Sequence, residues 1–178
     1  MEIASLIVAH LRQRRVADKL LDAAAWLGAR TGKAYGERHT ARAMPQENVE
    51  LLRRLFELFS ERELDVNAVL ELVGPDIVWE VRSDFPDAGI YTGHEGFRRL
   101  HAAFDEVVDE TWYQPLEYIP TGNQVVVPLR WGGLGLGSRA AFAAREETWI
   151  FTLRDGRIRH VREYATKNEA LEAVGLRE

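Results

Sequence analysis

The stretch from Glu146 to Leu176, EETWIFTLRDGRIRHVREYATKNEALEAVGL, constrains the fold more than any other part of the chain. Its first half alternates side chains with the period of two that a half-buried strand requires, and Arg154-Asp155-Gly156 supplies a turn. A second alternating run continues to Ala165, and Asn168 to Val174 then reads as a short helix. Long strands joined by so short a turn are antiparallel neighbours, so the block predicts a sheet with two usable faces.

The 178 residues fit one domain, and a hydrophobic fraction of 46%, with five Trp, seven Phe and five Tyr, suffices for a substantial core. Cysteine is absent, which excludes disulfides, thiolate zinc sites and a Cys nucleophile. No apolar run approaches the roughly 18 residues of a membrane span, so a soluble, cytoplasmic protein with no membrane partner is expected. The net charge of −5 is unevenly spread: residues 1–43 carry eight basic and four acidic groups, and residues 44–178 carry fifteen and twenty-four. The main body is therefore at −9, which argues against nucleic acid as its partner.

Residues 1–43 read as an extension, partly helical or disordered. The apolar run Ile3 to Leu11 precedes its basic cluster, Arg12, Arg14 and Arg15, in the reverse order of a secretory signal. Met44-Pro45 is an alternative start, because Pro in a first helical turn leads into a clean helix. Val49, Leu52, Leu55, Phe56 and Phe59 share one face of that helix; Asp65 caps a second, from Val66 to Val73, ending at Gly74-Pro75. A strand from Asp76 to Val81, a loop from Ser83 to Thr92 and a helix from Gly93 to Val108 follow, the last with Phe97, Leu100, Phe104 and Val107 inward. Strands Trp112 to Ile119, Gln124 to Leu134, Arg139 to Leu153 and Arg157 to Ala165 complete an α+β order in which helices cover one face of a bent sheet.

That order, with the segments PDIVWE, IYTGHEGFRRL and DGRIRHVREYATKNEALEAVGL, resembles the SnoaL-like branch of the nuclear-transport-factor-2-like superfamily over about residues 44–178. The resemblance implies a cone-shaped α+β barrel, built from a curved antiparallel sheet with helices on its concave face and a deep apolar pocket. It also implies a homodimer through the outer sheet face. Members include ketosteroid isomerase, polyketide cyclases, scytalone dehydratase and limonene epoxide hydrolase beside simple binders, so the fold alone decides no function.

If Trp149 faces inward, period-two alternation carries Glu147 and Phe151 inward with it. The resemblance adds Trp79, Val81, Arg130 and Glu163 to the pocket, with Phe56 and Tyr91 as further candidate walls. Ketosteroid isomerase places its acidic base where this chain has Val81, and isomerase and cyclase carry a carboxyl group where it has Trp149. The Arg-x-Asp of limonene epoxide hydrolase meets Arg130-Trp131-Gly132, and its final Asp-Tyr meets Glu163-Tyr164. A cofactor-free mechanism follows in which Glu163 removes a proton from water or an acidic carbon and Arg130 holds Glu163 and the developing charge. Trp79 and Trp149 would sandwich the substrate. The structural alternative is a buried Arg130–Glu163 ion pair tying two strands together, with Glu147 a half-exposed strand residue.

His101 and His160 have no partner at a metal-ligand spacing, so no metal is expected. The Gly-rich run from Trp131 to Ser138 lacks the helix and Lys of a phosphate loop and reads as a bulged strand. Val125, Val127, Leu129 and Trp131 have the opposite parity to Arg130 and, with Thr148, Ile150 and Ile158, would form an outer apolar surface suited to the homodimer. The expected function is binding of a small apolar or aromatic ligand, with the reaction unassigned. A cofactor-free hydrolase, isomerase, dehydratase or cyclase using Glu163 and Arg130, and a non-catalytic dimeric interaction domain, are the alternatives.

Overall fold

Helix α1, Pro45–Phe59, buries the stripe Leu52, Leu55, Phe56 and Phe59 that its 3.6-residue period lines up. The computed structural model describes residues 45–61, 63–85, 87–137 and 140–176; the readings of residues 1–43 and of Met44 lie outside the described residues. Helix α2, Val66–Leu72, is started by Asp65, whose carboxylate accepts the N–H groups of Asn67 and Ala68 at 2.9 and 3.2 Å.

The chain passes directly from α2 into β1, Val73–Val81, so Gly74-Pro75 lies in a strand and not at a helix stop. Proline is tolerated there because the β1 pairing shifts register between Val73 and Val78, and an irregularity of that kind needs no N–H from Pro75. The expected loop before Thr92 contains β2, Gly89–Thr92, which pairs antiparallel with β1 and sets Trp79 opposite Tyr91. Helix α3, Gly93–Asp105, buries Phe97 and Leu100 but ends before Val107, which is exposed and not inward as its spacing suggested. Strands β3 (Val108–Pro115), β4 (Ile119–Thr121), β5 (Gln124–Gly135), β6 (Ala141–Arg154) and β7 (Arg157–Tyr164) follow, then helix α4 (Lys167–Ala173). The β6–β7 turn places Asp155 at φ 54° and Gly156 at φ 67°, the paired left-handed conformation that lets two residues join antiparallel strands.

The sheet order is β2-β1-β7-β6-β5-β3, with β4 also on β5. Two corrections to the expected architecture follow. The sheet is mixed, because β1 and β7 run parallel. It is also open and not closed into a barrel: β2 and β3 stand at opposite ends of the path, and β2 offers only four residues for the pairing that closure would demand. Helices α1 to α3 contribute to one large core, whereas α4 packs Ala170 and Leu171 against Val126 and Ile150 on the other face.

The β5–β6 register settles which residues face which way. Val125 pairs with Phe151, Val127 with Trp149 and Leu129 with Glu147, while Arg130 pairs with Glu146. Since alternate residues share a face, Val125, Val127, Leu129 and Trp131 point into the main core with Trp149 and Phe151. The sequence reading had this row outside and Arg130 inside; the register reverses both. Ile158 also belongs to the inner core, and Ile150 is covered by α4. The outer face carries instead an ionic cluster in which Glu80 accepts from Arg162 at 2.7 and 2.8 Å and meets His160 at 2.6 Å. The apolar surface proposed for a dimer is thus absent in that form among the described residues.

The reversed parity has a direct test in urea unfolding. Leu129→Ala is expected to cost about 2–5 kcal/mol, the range for emptying a fully buried site. Arg130→Ala removes one partner of a half-exposed pair and is expected to cost about 1 kcal/mol or less. The opposite ranking would restore the inward arginine.

Candidate functional site: an aromatic cavity holding two carboxylates

A cavity of about 70 Å³ lies between the sheet and α3. Trp79 and Val81 reach it from β1, Tyr113 from β3, Trp131 from β5, Glu147 and Trp149 from β6, and Glu163 from β7. Phe59 of α1, Leu100, His101 and Phe104 of α3, and Phe85 and Asp87 from the β1–β2 connection close it. The walls are rings packed against rings: Trp79 meets Trp149 edge to face at 5.4 Å, and Tyr113 stacks on Trp131 at 6.2 Å.

Each carboxylate is held by an indole. The Trp79 Nε1–H donates to Glu163 Oε1 at 2.8 Å, and the Trp149 Nε1–H donates to Glu147 Oε1 at 2.6 Å. The second oxygen of each has a longer contact at 3.4 Å. For Glu163 Oε2 the donor is the backbone N–H of Arg82; for Glu147 Oε2 it is the Arg82 guanidinium. That guanidinium is also gripped by Asp84 through two bonds of 2.9 and 2.5 Å, and it lies 5.3 Å from the centre of the Phe85 ring.

Burial makes charge expensive in this cavity and shifts its acids upward. Glu163 is pushed up to about 7, first by loss of water and then by Glu147, while Trp79 and Arg82 pull the other way. Glu147 is raised by burial against the hydrogen bonds of Trp149 and Trp131. Burial holds His101 near 4, so its ring is neutral at pH 7; it packs 4.5 Å from Phe97 and 5.8 Å from Phe59. Burial likewise raises the Tyr113 hydroxyl far above the phenol range, so it keeps its proton.

Trp79, Val81, Glu147, Trp149 and Glu163 all border this space. Phe56 stands behind it, stacked on Trp149 at 5.9 Å. Tyr91 is outside the lining and donates its hydroxyl to the backbone oxygen of Asp87 at 3.0 Å. Arg130 requires a correction: it forms a surface ion pair with Glu146 at 2.6 Å, half-exposed, and the inward pairing with Glu163 does not exist. The arginine at the cavity is Arg82, whose signal in the sequence is weak, because it lies just past the strand end where alternation no longer predicts direction. His101 was legible: Phe97, Leu100, His101 and Phe104 follow the i, i+3, i+4, i+7 spacing of one helical face. Gly132, where the epoxide-hydrolase comparison wanted an acid, has no room for one, since a Cβ there would meet the Trp112 ring at 2.9 Å.

An α+β fold with helices packed against a mixed sheet is shared with solved structures of nuclear-transport-factor-2-like proteins. An NTF2-like protein of unknown function from Burkholderia pseudomallei superposes with a TM-score of 0.60 at 19% identity, over 72% of this chain and 97% of its own. An NTF2-like protein from Burkholderia xenovorans gives 0.57 at 26% identity, over 72% and 95%. A protein with a ketosteroid isomerase-like fold from Catenulispora acidiphila, solved in complex with trimethylamine, gives 0.56 at 19% identity, over 71% and 93%. No curated protein matches the chain in sequence. The family model described as a SnoaL-like domain matches residues 52–161, and the chain belongs to that family. No helix among the described residues is long and apolar enough to cross a membrane.

Glu163 makes stability depend on pH with a definite sign. Its folded pKa, about 7, lies above its ordinary 4.5, so the folded state binds its proton more tightly than the unfolded state does. Its contribution is most favourable below about 4.5 and is lost as pH rises toward and just past 7. Relative to Glu163→Gln, the wild type is expected to lose roughly 3 kcal/mol between pH 4.5 and 8 in urea unfolding. Parallel pH profiles for the two proteins would contradict this assignment.

Proposed function

We propose that this SnoaL-like domain binds a small apolar or aromatic molecule in the cavity bounded by Trp79, Trp149 and Glu163. The carrying observation is the combination of an apolar, ring-lined space with two polar groups converging on it, which is the composition of a ligand pocket and not of a filled core. Its free volume of about 70 Å³ is under half of the roughly 150 Å³ that accepts benzene in an engineered cavity. A single-ring ligand therefore has to displace a rim side chain, and Phe85 in the β1–β2 connection is the one with the least secondary structure to hold it.

A second reading, proton transfer by Glu163, is favoured by its position at the cavity with a pKa of about 7. Trp79 and the Arg82 backbone N–H would orient the carboxylate, in the place the sequence reading gave to Arg130. Glu163 would take an α-proton from an enolisable ketone and return a proton to the same carbon, leaving the ketone unchanged.

Titration with p-cresol, followed by tryptophan fluorescence and by the unfolding temperature, tests binding. Saturable quenching with a raised unfolding temperature is expected, and Trp149→Ala is expected to weaken it about tenfold or more, within the range for losing a large buried contact. The absence of a saturable change with p-cresol or toluene would overturn the binding reading. Deuterium exchange into phenylacetone tests the second: it is expected to rise with pH to a plateau above about 7 and to fall about a hundredfold or more in Glu163→Gln. Equal exchange by both proteins would remove Glu163 from that role.

A further inference from the structure

The geometry points to a cationic ligand: a small primary, tertiary or quaternary amine whose charge sits against Glu147 and Glu163 and whose carbon groups contact the surrounding rings. This deepens the binding reading above and rests on it. Among the described residues the charged side chains lining the cavity are Asp87, Glu147 and Glu163, all acidic, and the nearest cation is the Arg82 guanidinium at its edge, 3.4 Å from Glu147. Arg82 and Arg145 stand at the rim, on Phe85 at 5.3 and 5.5 Å, but Asp84 engages the first through two hydrogen bonds. Cavity and rim together hold four acids and two arginines.

The rings favour a cation as well. Trp79, Trp131, Trp149, Tyr113, Phe59 and Phe85 border one small space. The negative face of an aromatic ring attracts an ammonium group, tryptophan most strongly, and the attraction grows when water is excluded. A neutral apolar ligand would use the rings and leave two carboxylates buried against hydrocarbon, which is costly. An anionic ligand would meet both at close range. A cation uses the rings and the acids together.

Glu163 also has capacity to spare. One of its oxygens accepts a short indole bond and the other has a 3.4 Å contact with the Arg82 backbone N–H, leaving lone pairs for an N–H donor or for a quaternary charge, whereas Glu147 is engaged by Trp149, Trp131 and Arg82. Burial raises both acids, and Glu163, pushed up to about 7, still holds a proton through much of the neutral range. A bound cation substitutes for such a proton, so binding is coupled to proton release. The direction follows: affinity increases as pH rises through about 7 and levels off above it. The other facing groups do not obscure this. His101 is neutral well below that range, Tyr113 stays protonated above it, and Asp84 is held low by Arg82. The −9 charge of residues 44–178 further concentrates cations near the molecule at low salt.

Calorimetry on the full chain, with benzylamine against its neutral near-isostere benzyl alcohol, and with tetramethylammonium as a permanent cation, separates the outcomes. Benzylamine is expected to bind at least tenfold more tightly than benzyl alcohol at pH 8, and to release protons at pH 6.5, read from the heats in two non-cationic buffers of different ionisation enthalpy, phosphate and ACES. Glu163→Gln is expected to cut the advantage of the amine to under threefold and to suppress the proton release; Glu147→Gln serves if that variant fails to fold. Benzyl alcohol binding as tightly as the amine, or amine binding with no proton release, would overturn the cationic assignment while leaving the binding reading intact. Failure of benzylamine, tetramethylammonium and benzyl alcohol alike would overturn both.

Discussion

The pairing of β5 with β6 is the constraint on which the site depends. Leu129 opposite Glu147 and Val127 opposite Trp149 place an acid and an indole on the same face as an apolar row, where they are sealed beneath helices. A slip of β6 by one residue against β5 would move Trp149, Glu147 and Phe151 to the outer face and bring Glu146 and Thr148 in, exchanging packed rings for polar side chains. The apolar side chains on the correct face, Val125, Val127, Leu129, Trp131 and Phe151, are all buried, and their transfer from water holds the register against that slip.

Within that frame the cavity is a compromise between burial and charge. The same rings that make the space apolar also provide the N–H donors that make its acids tolerable, since Trp79 and Trp149 each give one bond to a carboxylate. Those bonds offset only part of the desolvation, and both acids remain raised. Two buried carboxylates at one cavity are a cost in stability, and the proposed ligand-binding role would account for it. Arg82 completes it from a connection outside the regular sheet, linking Glu147, Glu163 and Asp84 through one residue.

Much of this was legible in the sequence. The Asp155-Gly156 turn, the alternation around Trp149 and the stripe of α1 follow from periods and turn chemistry, which act locally. What was not legible depends on pairing between distant segments. Nothing near Arg130 states its direction, because Val126 and Val127 are equally apolar and both faces of β5 are covered, one by the main core and the other by α4. A strand buried on two sides loses the alternation that reveals its parity. Arg82 was missed for a related reason, since it contributes through its backbone N–H as well as its guanidinium and follows the last strand residue. Sheet closure is likewise set by how the terminal strands lie in space, and β2 was read as loop because its four residues carry too short a pattern.

Glu163 sits desolvated at a ring-lined cavity, with its carboxyl pushed up to about 7. Direct titration by carbon-detected NMR on glutamate-labelled protein, with the Glu163→Gln spectrum for assignment, measures this without a ligand. A Glu163 carboxyl midpoint near 7 is the result predicted here. A midpoint near the ordinary 4.5 would mean that water reaches the carboxylate freely, and the account of the cavity would be contradicted.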